Sequence, residues 1–104
     1  MARVRFSRRA EADLYEIGLY TLRAWGEAQA ERYLSQLEHC CNLLGDSPAI
    51  GRACDEIRPG IRCVEQGKHV LFYREEANGI RIIRILHQRM LPENQEIKDA
   101  EESR

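Results

Sequence analysis

The chain has 104 residues, 43% of them hydrophobic and 32% charged, enough for one domain with a modest core and too few for two. No apolar run approaches the roughly 18 residues of a membrane span, and no apolar stretch follows the basic opening as in a secretory signal, so a cytoplasmic protein is expected. A formal net charge of −1 conceals an asymmetry, with Arg3, Arg5, Arg8 and Arg9 at the beginning and Glu93, Glu96, Asp99, Glu101 and Glu102 at the end.

Arg3 to Phe6 alternates polar and apolar residues, the period of a short strand. Ser7 stands where a helix N-cap belongs, its hydroxyl able to accept an orphan N–H, and a first helix is predicted from Arg8 to Trp25. Its core stripe is Ala10, Leu14, Ile17, Tyr20 or Thr21, and Ala24, with Gly26 as the stop. Trp25 is expected to anchor the end of this stripe in the core. Gly18 inside the helix costs about 1 kcal/mol relative to alanine, which predicts a closely packed neighbour. A second stripe follows from Glu27 through Ala30, Tyr33 or Leu34, Leu37, Cys41 and Leu44, ended by Gly45 and Pro48. So short a link makes the two helices an antiparallel hairpin. His39 near the end of the second helix suits the negative helix terminus and implies nothing more.

Asp46 to Glu56, with Pro48 and Gly51 and no period, reads as a loop. Three strands are predicted over Ile57 to Glu65, His69 to Arg74 and Ile80 to His87, separated by Gln66-Gly67 and by Glu75 to Gly79. With the first strand joined to them, the expected fold is α+β in two layers, β-α-α-β-β-β, a helix hairpin on an antiparallel sheet. The domain should span 1–92, with 93–104 an acidic tail or short helix.

Strict alternation places Ile80, Ile82 and Leu86 on one face of the last strand and Ile83 and Ile85 on the other. Two helices cover one side of a four-stranded sheet, so the second apolar face is covered either by the chain itself or by a partner. Between Ile57 and Pro92 basic residues outnumber acids, which fits solvated arginines on exposed strands, an acidic partner or nucleic acid. Four cysteines, Cys40, Cys41, Cys54 and Cys63, form no C-x-x-C pair and lack a histidine at zinc-site spacing. No metal is expected, and the thiols read as small core residues. No Walker loop, G-x-S-x-G, H-E-x-x-H or dinucleotide turn appears, so no cofactor is expected. The one titratable set that suits RNA chemistry is Arg62, Arg74, Arg81, Arg84, His69 and His87. Parity puts Arg84 and His87 on opposite faces, which argues against their convergence.

These residues carry a resemblance over most of the chain. It runs through Ser7-x-x-Ala10-x-x-Asp13-Leu14-x-x-Ile17-x-x-Tyr20, Trp25-Gly26-x-x-x-Ala30-x-x-Tyr33-x-x-x-Leu37 and Pro48-x-x-Gly51. It continues through Gly60-x-Arg62, Gly67-Lys68-His69-Val70-x-Phe72-Tyr73-Arg74 and Ile82-x-Arg84-Ile85-Leu86-His87. In order and spacing the set resembles the ParE toxins of the ParE/RelE superfamily, whose fold is the one argued above. The resemblance implies a toxin that poisons DNA gyrase by protein binding, held inactive by a ParD-like antitoxin whose C-terminal segment wraps around it. Under it no catalytic residue and no sequence-specific nucleic-acid binding are expected, and Arg62, Arg74, Arg81, Ile83, Arg84, Ile85 and His87 become candidates for antitoxin or target contact. The rival reading is a RelE-like ribosome-dependent messenger RNA endonuclease, in which Arg62, Arg84 and His87 would be catalytic. Gln88 departs from that pattern, since a tyrosine often completes the set there.

Overall fold

A computed structural model describes residues 3–89. Its elements are β1 (Arg3–Phe6), α1 (Arg8–Trp25), α2 (Glu27–Asp46), a 3₁₀ turn (Pro48–Ile50), β2 (Arg52–Ala53), β3 (Arg62–Gln66), β4 (His69–Glu76) and β5 (Gly79–His87). The sheet order is β1-β5-β4-β3-β2. The two-layer α+β arrangement is the expected one. The sheet itself is mixed, because β1 runs parallel to β5, and it has five strands through the addition of the short β2.

Ser7 turns the chain from sheet to helix. Its Oγ accepts from the Ala10 N–H at 3.0 Å and donates to the Ile83 carbonyl at 2.7 Å, while its N–H donates to the Ile82 carbonyl at 2.9 Å. One buried residue thus caps α1 and ties it to β5. At the hairpin, Gly26 takes φ 93°, open to glycine at no steric cost, and its N–H closes α1 on the Leu22 carbonyl.

The helix-side core joins Ala10 and Ile17 of α1 and Leu37, Cys41 and Leu44 of α2 to Leu71, Tyr73, Ile80, Ile82 and Ile85 of the sheet. Both helical stripes face it, with Thr21 rather than Tyr20 on the buried side, but the first stripe stops short of Ala24, which is exposed. Trp25 departs from its expected place. It is 70% exposed. Gly18 is not forced by packing either, since a Cβ there would lie 3.5 Å from Leu34, an ordinary contact.

The second face of the sheet carries its own core of Cys54, Ile61, Cys63, Phe72, Ile83 and Leu86, with Ile57 and Val70 at its margin. It is therefore not a spare face, and the chain's own 54–61 loop covers it. This segment was expected to begin a strand at Ile57. Instead the Cys54 carbonyl accepts from the N–H groups of Ile57 and Arg58, the Asp55 carboxylate accepts from Gly60, and pairing in β3 begins at Arg62. Cys54 and Cys63 are joined as a disulfide within this cluster, with Cα atoms 6.4 Å apart, which their spacing did not signal.

Alternation along β5 also fails at one point. Tyr73 pairs with Ile82 but Phe72 pairs with Arg84, leaving Ile83 as the extra residue of a bulge. Parity reverses there, so Ile83 and Leu86 lie in the outer cluster and Ile85 in the helix-side core. The expected grouping of Ile83 with Ile85, and of Leu86 with Ile80 and Ile82, is corrected accordingly. The acidic tail expected over 93–104 lies outside the described residues. Among those described, no helix is long and apolar enough to cross a membrane.

Candidate functional site

The three side chains that a nuclease would need are each held in a separate place. Arg62 on β3 donates to the Gly51 carbonyl at 2.6 Å and lies 3.9 Å from Glu75. It belongs to an anchor for the loop after α2, in which the Tyr73 hydroxyl donates to the Pro48 carbonyl at 2.6 Å and accepts from the Gly51 N–H at 2.9 Å. A Cβ on Gly51 would collide with that hydroxyl and sit 2.9 Å from the Cys63 carbonyl. The Pro48-x-x-Gly51 spacing, Arg62 and Tyr73 are thus parts of one joint.

Arg84 forms a two-pronged pair with Asp13 of α1, Nε to Oδ2 at 2.8 Å and Nη2 to Oδ1 at 2.9 Å, and the same Oδ2 accepts from the Ile85 N–H at 3.0 Å. The location explains the arrangement. β1 ends at Phe6, opposite Ile82, and Asp13 supplies the acceptor that the absent strand would have given to β5. Ion pairs this shielded are held by geometry and extra hydrogen bonds rather than by charge alone, and removing one partner costs roughly 3–5 kcal/mol.

His87 pairs across the ladder with His69, their rings edge-on with centroids 5.4 Å apart. His69 Nδ1 lies 2.6 Å from the Tyr33 hydroxyl, which also accepts from the Lys68 N–H at 3.1 Å, and His87 Nδ1 accepts from the Arg89 N–H at 3.1 Å. Burial first, then the neighbouring His87, lowers the His69 pKa from its ordinary value, against a smaller opposing pull from Asp13. Gly67, at φ 61°, lets the β3–β4 turn close on the Tyr33 ring, 2.7 Å from where a Cβ would stand.

Arg62 and His87 stand opposite Tyr73 and His69 of β4, four positions apart, or about 13 Å along the strand direction. Among the described residues, these candidates do not bring an acid, a base and a stabiliser to one point. Of the remaining candidates, Arg74 and Arg81 are cross-strand partners, Arg81 is buried, and both are engaged. Ile83 and Ile85 are 1% and 3% exposed on opposite sides of the sheet, so they offer no shared contact face. Among the described residues no cluster of three or more His, Cys, Asp or Glu side chains is placed to hold a metal ion.

The open apolar surface lies elsewhere, in a groove of about 1140 Å³ running along the helix hairpin and over β1. Val4 and Phe6 floor it, and Tyr15, Leu19, Leu22 and Leu34 line its walls. Glu11, Glu27, Glu31 and Glu38 stand among the lining residues and no lysine or arginine does. Tyr15 is 67% and Leu22 45% exposed. The stripe that faces the core does not mark the groove. A second row on α1, Tyr15, Leu19 and Leu22, has the same helical spacing one quarter-turn away and carried the signal.

A family model described as "ParE toxin of type II toxin-antitoxin system, parDE" matches residues 4–92. A protein named Toxin ParE1 from Mycobacterium tuberculosis is 49% identical over 90 residues, covering 86% of this chain and 92% of its own length. Toxin ParE1 of Caulobacter vibrioides is 40% identical over 86 residues, covering 83% and 88%. A solved structure, "Chromosomal ParDE TA system from P. aeruginosa", superposes with a TM-score of 0.70 at 22% identity, over 84% of this chain and 96% of its own, and shares the fold. The Asp13 and Arg84 clamp and the Pro48 to Tyr73 joint are built from residues that carried the resemblance, and the chain belongs to the ParE toxin family of type II toxin–antitoxin systems.

Proposed function

We propose that the chain acts by binding DNA gyrase and is neutralised by a ParD-like antitoxin seated in the groove between the helix hairpin and β1. The observation that carries a binding mode of action is the separate structural employment of Arg62, Arg84 and His87. The same observation weighs against messenger RNA cleavage, the rival reading. For the antitoxin, the groove supplies exposed apolar area under an acidic rim, which suits a segment with apolar anchors and flanking lysines or arginines that orders on binding. This moves the antitoxin's seat from the outer sheet face, expected from Ile83 and Ile85, to the helix side.

The test is a titration of the purified chain into a gyrase supercoiling reaction, scored for lost supercoiling and for accumulated cleaved DNA. Inhibition relieved by a ParD-like antitoxin is the expected result. Untouched supercoiling together with ribosome-dependent messenger cleavage would overturn the proposal. For the seat, Leu22→Asp should leave the helical circular dichroism intact and weaken antitoxin binding by about tenfold or more, as expected for charging an apolar contact. Unchanged affinity would exclude the groove.

A further inference from the structure

Cys54 follows β2 and opens the loop that covers the outer face of the sheet, while Cys63 stands on β3 between Arg52 of β2 and Phe72 of β4. The bond between their sulfurs closes this loop at its neck. Within the loop, the Cys54 N–H donates to the Ile61 carbonyl at 2.8 Å, and the Cys54 carbonyl accepts from Ile57 at 2.9 Å and Arg58 at 3.2 Å. The side chains of Ile57 and Ile61 then pack on Phe72, Ile83 and Leu86. The two sulfurs differ in their surroundings. Cys63 lines an open pocket of about 460 Å³ beside Arg52, Ile57, Val70 and Phe72, whereas Cys54 is 0% exposed and is not among the lining residues. Thiol–disulfide exchange requires a thiolate to reach one sulfur of the bond, so access decides which cysteine is attacked and which leaves.

We propose that Cys54 and Cys63 form a reversible thiol–disulfide clasp on the 54–61 loop, opened and closed by low-molecular-weight thiols and disulfides that exchange at Cys63, with Cys54 as the resolving partner. In opening, a small thiolate bonds to the Cys63 sulfur, the Cys54–Cys63 bond breaks, and Cys54 leaves as a thiolate that takes a proton. A second small thiolate attacks the mixed disulfide at the small molecule's own sulfur, and Cys63 is released and protonated. The protein disulfide is reduced by two electrons, the two small thiols supply both protons, and they depart oxidised as one small disulfide. Closing runs the same steps in reverse. Disulfides of reducing compartments are usually transient and redox-sensing, the behaviour this arrangement provides. With the clasp closed, the neck of the loop is fixed to β3. With it open, main-chain bonds, the Asp55 contact to Gly60 and the packing of Ile57 and Ile61 hold the loop alone, and it opens more often.

The probes are glutathione and glutathione disulfide, added to the folded full chain, with free thiols then alkylated and each cysteine located by peptide mass mapping, which keeps Cys40 apart. In the native chain, excess glutathione should convert the pair to two alkylated cysteines, and excess glutathione disulfide should restore the link. In Cys54→Ser, glutathione disulfide should leave a stable adduct on Cys63. In Cys63→Ser, the adduct on Cys54 should form at least about tenfold more slowly, because that sulfur is shielded. Circular dichroism checks that both variants are folded. A second readout needs no variant: reducing the native chain should speed amide exchange at Ile57, Arg58 and Ile61 by about tenfold or more and leave Ile82 and Ile85 unchanged. A pair that stays as two free thiols under excess glutathione disulfide, or stays linked under excess glutathione, would overturn the clasp. Equal adduct rates at the two cysteines would overturn Cys63 as the point of entry, and exchange at Ile57, Arg58 and Ile61 that ignores reduction would overturn the hold on the loop.

Discussion

At the scale of single residues, the side chains that looked chemical turn out to hold the framework together. Asp13 shows this most clearly, because one carboxylate takes both the Arg84 guanidinium and the Ile85 N–H. Asp13→Ala should therefore cost roughly 3 kcal/mol or more in urea unfolding, since a shielded guanidinium and a strand N–H both lose their acceptor. A loss below about 1 kcal/mol would mean that the pair behaves as an exposed one. His69 makes a second prediction, in pH. Its folded pKa is lowered by burial and by His87, so the folded state favours the neutral ring. The stability this gives is full above the unfolded value of about 6.5 and is lost as pH falls below it through the folded value. Denaturation midpoints measured from pH 7.5 down to pH 5 should fall, and His69→Gln should flatten that fall. A variant with an unchanged slope would place the titration elsewhere. Cys41, by contrast, has its thiol pushed up to about 12, first by burial, consistent with a packing role and no nucleophilic one.

At the scale of elements, glycines separate the joints that matter from those that do not. Gly51→Ala should destabilise by about 2 kcal/mol, because the new methyl must displace the Tyr73 hydroxyl or the Cys63 backbone. Gly18→Ala should be neutral or stabilise by up to about 1 kcal/mol, because Leu34 leaves ordinary contact distance and alanine is the better helix former. Thermal unfolding of the two variants checks both signs at once. If Gly18→Ala were the more damaging, the packing described here would be wrong. The same elements show what could be read from the sequence. Helix limits were legible because Ser7, Gly26 and the two apolar stripes act locally through caps and a 3.6-residue period. The assignment of faces on β5 was not, because the Ile83 bulge depends on how β4 and β5 settle against each other, and no local pattern in nine residues announces it. Likewise Ile57 and Ile61 carry a strand-like composition, yet Gly60 at φ 85° and the Asp55 carboxylate fold them into a loop that closes the outer face.

At the scale of the molecule, the bulge and that loop together decide where a partner can dock. A sheet with an apolar outer face would have invited the partner there. Once the 54–61 loop packs there, the groove of α1, α2 and β1 is one exposed apolar surface that the described residues still offer. The sequence carried this only as a faint second row on α1, because the eye follows the stripe that makes the fold and neglects the one left over. The family could be read early for a related reason. Ser7, Asp13, Gly51, Arg62, Tyr73 and Arg84, among the residues that carried the resemblance, are those whose side chains or missing side chains make the joints, so they mark the architecture and say little about the target.

The central claim is that this architecture acts through a protein surface, with its histidines and arginines serving as framework. The most direct measurement is the dose dependence of gyrase inhibition for the native chain and for His87→Gln, at equal concentrations of folded protein verified by circular dichroism. The account predicts that both inhibit supercoiling and that their curves superimpose. Inhibition by the native chain that is lost in a folded His87→Gln variant would contradict it and return His87 to the functional site.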